Sequence, residues 1–142
     1  MAPALPRGIK NRNPGNIDRN QIKWQGMSRD QSGDPRFVVF DAPEWGIRAI
    51  VRVLRSYRDT HGLRTVRGMI NRWAPPIEND TEAYAVTVAR KLGVDPDDRV
   101  DIDDGELLRG LVKAIIRHEN GRGPLDGDWY EDDLIDQGIG LA

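Results

Sequence analysis

Leu108, Leu111, Val112 and Ile115 recur at three- and four-residue spacing, and Glu119 continues the same stripe just before Asn120-Gly121. A helix that buries the four apolar side chains therefore aims one carboxylate at the edge of the core. Burial penalises the ionised form of a carboxyl group and raises its pKa toward the range where it holds and donates a proton near neutrality. A last-turn acid also opposes the helix dipole, which prefers cations there. Two readings of Glu119 follow: a solvated glutamate at a helix end, or a general acid.

The other elements carry their own start and stop signals. Asp41-Ala42-Pro43-Glu44 offers an N-cap at Asp41, a first-turn proline and a capping-box acid at Glu44, and Ile47, Ile50, Val51 and Leu54 repeat behind it. This predicts a helix over about 42–60, punctuated by His61-Gly62. Thr65 through Trp73 reads as a short second helix stopped by Pro75-Pro76. Asn79-Asp80-Thr81-Glu82 opens a third, carrying Tyr84, Val88 and Leu92 to Gly93. Residues 95–104 form an acidic loop before the helix of Glu119, and the tail from Pro124 to Ala142 holds a short docked helix. Residues 1–36 are rich in Gly, Asn, Pro, Asp and Ser and read as loops and short strands. Phe37-Val38-Val39-Phe40 is β-prone and follows the turn signal Ser32-Gly33-Asp34-Pro35, which predicts a hairpin with the Trp24 region. The sum is an α+β fold, mostly α, with a small β-hairpin walling one side of a groove. We read a single domain over 1–142, divided into an irregular β region (1–40), a helical core (41–121) and a C-terminal tail (122–142).

The chain has 142 residues, no cysteine and two histidines, His61 and His118. Disulfides and thiolate metal sites are excluded, two histidines are too few for a zinc cluster, and no metal is expected. The N-terminal residues lack the apolar run of a signal peptide, and no stretch is long enough to span a bilayer, so no membrane insertion is expected. The net charge of -2 hides a polarity: residues 1–73 hold fourteen Lys/Arg against six Asp/Glu, and residues 74–142 hold seven against seventeen. Either the basic half attracts an anionic polymer or the halves neutralise each other across the fold. The basic residues are scattered singly and no recognition-helix or zinc-finger pattern accompanies them, so no nucleic-acid partner is expected.

Glu44 is the second acid available to a paired-carboxylate mechanism, although capping gives it a sufficient structural job. Tryptophans and tyrosines are core residues in most settings, but sugar-binding grooves use aromatic faces. Trp73 and Tyr84 flank the loop Pro75-Pro76-Ile77-Glu78-Asn79 and are the candidates for such a role. His118 points about 100° away from Glu119 on a helix, which removes it as the acid's direct partner.

Asn13-Pro14-Gly15-Asn16-Ile17, Trp24-Gln25-Gly26, Phe37-Val38-Val39-Phe40-Asp41 and Glu44-x-Gly46-Ile47-Arg48-Ala49 together resemble phage virion proteins of the lytic, lysozyme-like type, over about residues 7–124. The same segment is similar to the hairpin of flagellar-type bacterial glucosaminidases, which place their catalytic helix before the hairpin. Here Ala114-Ile115-Ile116-Arg117-His118-Glu119-Asn120-Gly121 resembles that element, and also the Ile-x-x-Glu-Ser-x-Phe motif of soluble lytic transglycosylases. The order looks circularly permuted, which closely spaced termini permit.

The resemblance implies a lysozyme-like domain acting on bacterial peptidoglycan without a cofactor. It would travel in the phage virion, beside other virion proteins, or work in the host cell against the cell wall. By the same resemblance Glu119 is the catalytic acid and Tyr84 a groove tyrosine, with Asn16 and Trp24 in the hairpin wall and Asn79 at the rim. Asn120 and Arg122 depart from the family's serine and aromatic. With one strong carboxylate in view, a lytic transglycosylase mechanism is favoured over muramidase or glucosaminidase hydrolysis, and Glu44 is the reserve second carboxylate. The alternative of a different class is a non-catalytic phage structural protein that retains a lysozyme-like fold.

Overall fold

In the computed structural model, which describes residues 4–75 and 80–142, the protein is mostly helical. Its helices are α1 (Arg7–Lys10), α2 (Pro43–His61), α3 (Val66–Trp73), α4 (Thr81–Leu92), α5 (Gly105–Asn120) and α6 (Asp132–Leu141). Local chemistry sets most of their ends. The Thr65 hydroxyl accepts from Gly68 N, Asp80 from Ala83 N, and Asp104 from Glu106 N and Leu107 N, so three helices start on side-chain caps. Gly62 and Gly93 close α2 and α4 in the left-handed conformation.

The start of α2 departs from the expectation. Its N-cap is Ala42 and makes no side-chain cap bond, so the capping box of Asp41 and Glu44 does not form. Asp41 instead accepts from the Ser28 hydroxyl at 2.8 Å, and its amide donates to Gly26 O. Pro43 begins the helix with its φ already near the helical value and without an amide to leave unpaired. The single turn α1 was not legible in the loop-rich composition of residues 1–36.

Residues 36–41 run as an extended ribbon between two irregular segments. On one side Val38 N donates to Ile17 O and Phe40 N to Asn11 O; on the other Ser28 N donates to Val39 O and Asp41 N to Gly26 O. The pairing amounts to isolated antiparallel bridges, Asp18 with Phe37 and Met27 with Phe40, rather than a continuous ladder. Side chains complete what the backbone leaves open. Asn13, fully buried, donates to Ile17 O and Val38 O and accepts from Ile17 N. Asp34, also buried, receives Arg7 Nε and Nη2, Asn11 Nδ2 and the amides of Arg36 and Phe37. These donors hold its carboxyl far below the usual range, Arg7 foremost and against the penalty of burial.

α2 is the shared wall of two apolar clusters. Ile47, Ile50 and Leu54 pack with Met69, Ile70, Ile102, Leu108, Leu111 and Ile115 in the larger one, and α6 adds Ile135. Ala49 turns the other way to meet Val38 and Phe40. Gly46 lets the N-terminal loop rest directly on α2, because a Cβ there would collide with Arg12 O and meet Pro14 Cδ at 2.8 Å. The charge polarity of the chain is partly neutralised across the fold. Arg58 pairs with Asp103 at 2.9 Å, and Arg67 reaches both Asp97 and Glu82. Among the described residues no helix is long and apolar enough to cross a membrane.

Candidate active site

The last turn of α5 sits where the helical core meets the N-terminal loop. Asn120 Nδ2 donates to Pro14 O at 2.8 Å and to Ile116 O at 2.9 Å, and Trp129 Nε1 donates to Gly121 O at 2.9 Å. The helix end is thereby fixed from both sides, and Glu119 comes with it. In the facing loop Asn16 N donates to Asn13 O, and Asn16 adopts a left-handed φ of 50°, which asparagine tolerates better than most residues. Gly15 beside it is pressed against α2 and α3, since a Cβ would lie 2.8 Å from Ile50 Cγ1 and 3.0 Å from Trp73 Cζ2.

These contacts enclose an open groove of about 570 Å³. It is lined by Gly15, Asn16, Ile17 and Asp18 of the N-terminal loop, Arg36 and Phe37 of the ribbon, Val53 and Tyr57 of α2, Arg72 and Trp73 of α3, and Glu119 of α5. Asp18 and Arg36 are ion-paired at 2.6 Å within it. Glu119 is half-buried, and that burial pushes its carboxyl from the ordinary 4.5 to about 7. The charge of Arg36 pulls it down and that of Asp18 pushes it up, both less than burial does. An acid with such a value is still substantially protonated near neutrality, and it borders the open space of the groove.

Of the site residues expected from sequence, Asn16, Trp73 and Glu119 line this one groove. Tyr84 does not. It is buried in α4, its ring stacked on His118 at 3.5 Å between centroids, and it faces a separate hollow between α4 and α5. Among the described residues its buried hydroxyl has no hydrogen-bond partner, and burial foremost, together with the Glu119 charge, pushes its pKa well up. Trp24 is drawn into the smaller apolar cluster against Val38, Phe40 and Ala49, away from the groove, because its half-buried ring finds more apolar surface there. Glu44 is absent from the groove as well; it lies in the first turn of α2, whose Glu44 carbonyl packs against Gly138 of α6. Asn79 lies outside the described residues. Asp18, Arg36, Tyr57 and Arg72 enter the groove without having been singled out in the sequence. Asp18 follows directly on the Asn-Pro-Gly-Asn-Ile motif, the one signal that could have found it.

No family model matches the sequence. Over 125 residues the chain is 38% identical to Protein P5 of Pseudoalteromonas phage PM2, an alignment that spans 86% of this chain and 76% of that protein. Identity of this extent across most of both sequences makes them homologues: the chain belongs to the family of this bacteriophage protein.

Proposed function

We propose that this protein cleaves the glycan strand of bacterial peptidoglycan, with Glu119 as general acid, as a phage virion-associated or lysis enzyme built on a lysozyme-like, circularly permuted domain. The observation that carries the reading is a half-buried glutamate, raised to about 7, at the edge of an open groove shared with Asn16 and Trp73. The phage membership of its relative is consistent with a role in breaching or leaving a bacterial cell. Trp73 supplies an aromatic face for a sugar ring, and Asn16 a polar side chain for its substituents.

In this reading the Glu119 carboxyl gives its proton to the glycosidic oxygen as the bond to the anomeric carbon breaks, and the bonding pair leaves with that oxygen. The anomeric centre becomes positively charged, and Asp18 in the same groove opposes that charge electrostatically. Capture by water gives a reducing end and capture by the substrate's own hydroxyl an anhydro end, the Glu119 carboxylate taking back the proton released in either case. Asp18 replaces Glu44 as the second carboxylate on offer, so the hydrolytic route regains a candidate.

The test compares wild type with Glu119→Gln on purified peptidoglycan, with mass spectrometry of released sugars. Gln keeps the size of the side chain and removes the proton donor, so release should fall at least ~100-fold while circular dichroism stays unchanged. The ends of the fragments distinguish hydrolase from transglycosylase. If folded wild type releases nothing across pH and cell-wall types, catalysis is rejected in favour of a non-catalytic phage structural protein.

A further inference from the structure

Among the described residues, one cation of the groove has no carboxylate partner. Asp18 and Arg36 neutralise each other at 2.6 Å, and Glu119 is uncharged through the acid range. Arg72 stands exposed near the end of α3, and among the described residues no carboxylate pairs with it. Its guanidinium carbon lies 5.5 Å from the centroid of the Tyr57 ring, close enough for the arginine's charge to act on the tyrosine hydroxyl. Both side chains line the groove beside Trp73.

A guanidinium braced on an aromatic face keeps its N–H edges for a planar anion and loses less rotamer freedom on binding one. With Arg36 matched by Asp18, Arg72 is the groove's single unmatched cation among the described residues, so it balances one negative charge and not several. A single carboxylate fits both facts, and the neighbouring indole suits a sugar ring. We infer that Arg72, braced on Tyr57 in the groove of Glu119, is a carboxylate-reading subsite that makes this groove prefer acidic amino-sugar glycans to neutral ones. The inference rests on the glycan-cleaving reading of the groove. The carboxylate has two sources of the same chemistry: an acidic ether substituent on the sugar itself, or a carboxyl group of a peptide attached to it.

The test measures binding by calorimetry to the full chain carrying Glu119→Gln, which suppresses turnover, with and without Arg72→Gln or Arg72→Lys. The probes are a neutral N-acetylglucosamine hexamer, peptide-free peptidoglycan strands with the sugar carboxyl exposed, and peptide-bearing strands with their peptide carboxyls free or amidated. The acidic strands should bind about tenfold more tightly than the neutral hexamer, as expected of one charge-assisted bidentate contact. Arg72→Gln should erase that preference, and Arg72→Lys should keep part of it. Preference for peptide-free strands assigns the carboxylate to the sugar; preference only for strands with free peptide carboxyls assigns it to the peptide. Equal binding of neutral and acidic glycans, no binding of any glycan, or a preference that survives Arg72→Gln overturns the subsite. Because binding is read without turnover, an Arg72-dependent preference in a protein whose wild type cleaves nothing would sink the enzymatic reading and leave the subsite standing.

Discussion

Asn120 Nδ2 donates to the Pro14 carbonyl oxygen at 2.8 Å, stitching the end of α5 to the loop that carries Asn16. The residue immediately after Glu119 thus ties the acid's helix end to the loop that lines the same groove. A change of Asn120 should therefore act on function through geometry as well as through stability.

Asn120→Ala removes donors to Pro14 O and Ile116 O. The expected cost is about 1–2 kcal/mol in urea unfolding. Glycan cleavage, measured where the variant is still fully folded, should fall further than that loss of folded protein explains. Unchanged turnover in a destabilised variant would reduce Asn120 to a structural stitch.

Glu119 makes the protein's stability depend on pH. Its carboxyl titrates near 7 when folded and near the ordinary 4.5 when unfolded, so the native state holds the proton more tightly. The stabilisation is fully present below about pH 4.5 and is lost as pH rises through about 7. Glu119→Gln carries no charge at any pH and should be more stable than wild type at pH 8, on the order of 1–3 kcal/mol, with the difference shrinking by pH 5. Urea midpoints of the two proteins at both pH values check this, and parallel values would refute the burial of the carboxyl.

Arg36 and Asp18 act on Glu119 with opposite sign. Arg36→Gln removes a charge that lowers the Glu119 pKa, so the alkaline limb of the activity profile should move to higher pH. Asp18→Asn removes a charge that raises it and also releases Arg36 from its partner, so the same limb should move to lower pH. Opposite displacements in kcat/KM profiles are the expected outcome; displacements of one sign in both variants would contradict the arrangement.

Gly46 permits the N-terminal loop to lie on α2. In Gly46→Ala the new methyl collides with Arg12 O and crowds Pro14 Cδ, both backbone-anchored groups that cannot swing aside. Destabilisation of about 1–3 kcal/mol is expected, typical of overpacking. Since the same loop carries Asn16, glycan binding should weaken too, which titration with a peptidoglycan fragment would show.

The helices after α1 were legible because their signals are local. Thr65, Asp80 and Asp104 cap the turns that follow them, and Gly62 and Gly93 end helices by their own backbone conformation. Asp41 failed as a cap although it has the right chemistry, because its carboxylate is engaged by Ser28 from a distant loop and its amide by Gly26. Tyr84 and Trp24 fall outside the lining of the Glu119 groove for a related reason. An aromatic residue reads alike from sequence whether it faces a groove or a core, and only the packing of α4 on α5 and of the ribbon on α2 separates the two.

By itself the sequence determined, to within a few residues, where α2, α3, α4 and α5 begin and end, and that one carboxylate would close the apolar stripe of α5 and meet the core edge. Those properties rest on contacts three or four residues apart. Tertiary structure alone decided what faces that carboxylate. Asp18, Arg36, Tyr57 and Arg72 reach the groove of Glu119 because buried hydrogen bonds of Asn13 and Asp34 shape the N-terminal loops and because Gly15 and Gly46 let those loops approach α2 and α3. Such pairings join residues far apart along the chain, and no local pattern encodes them.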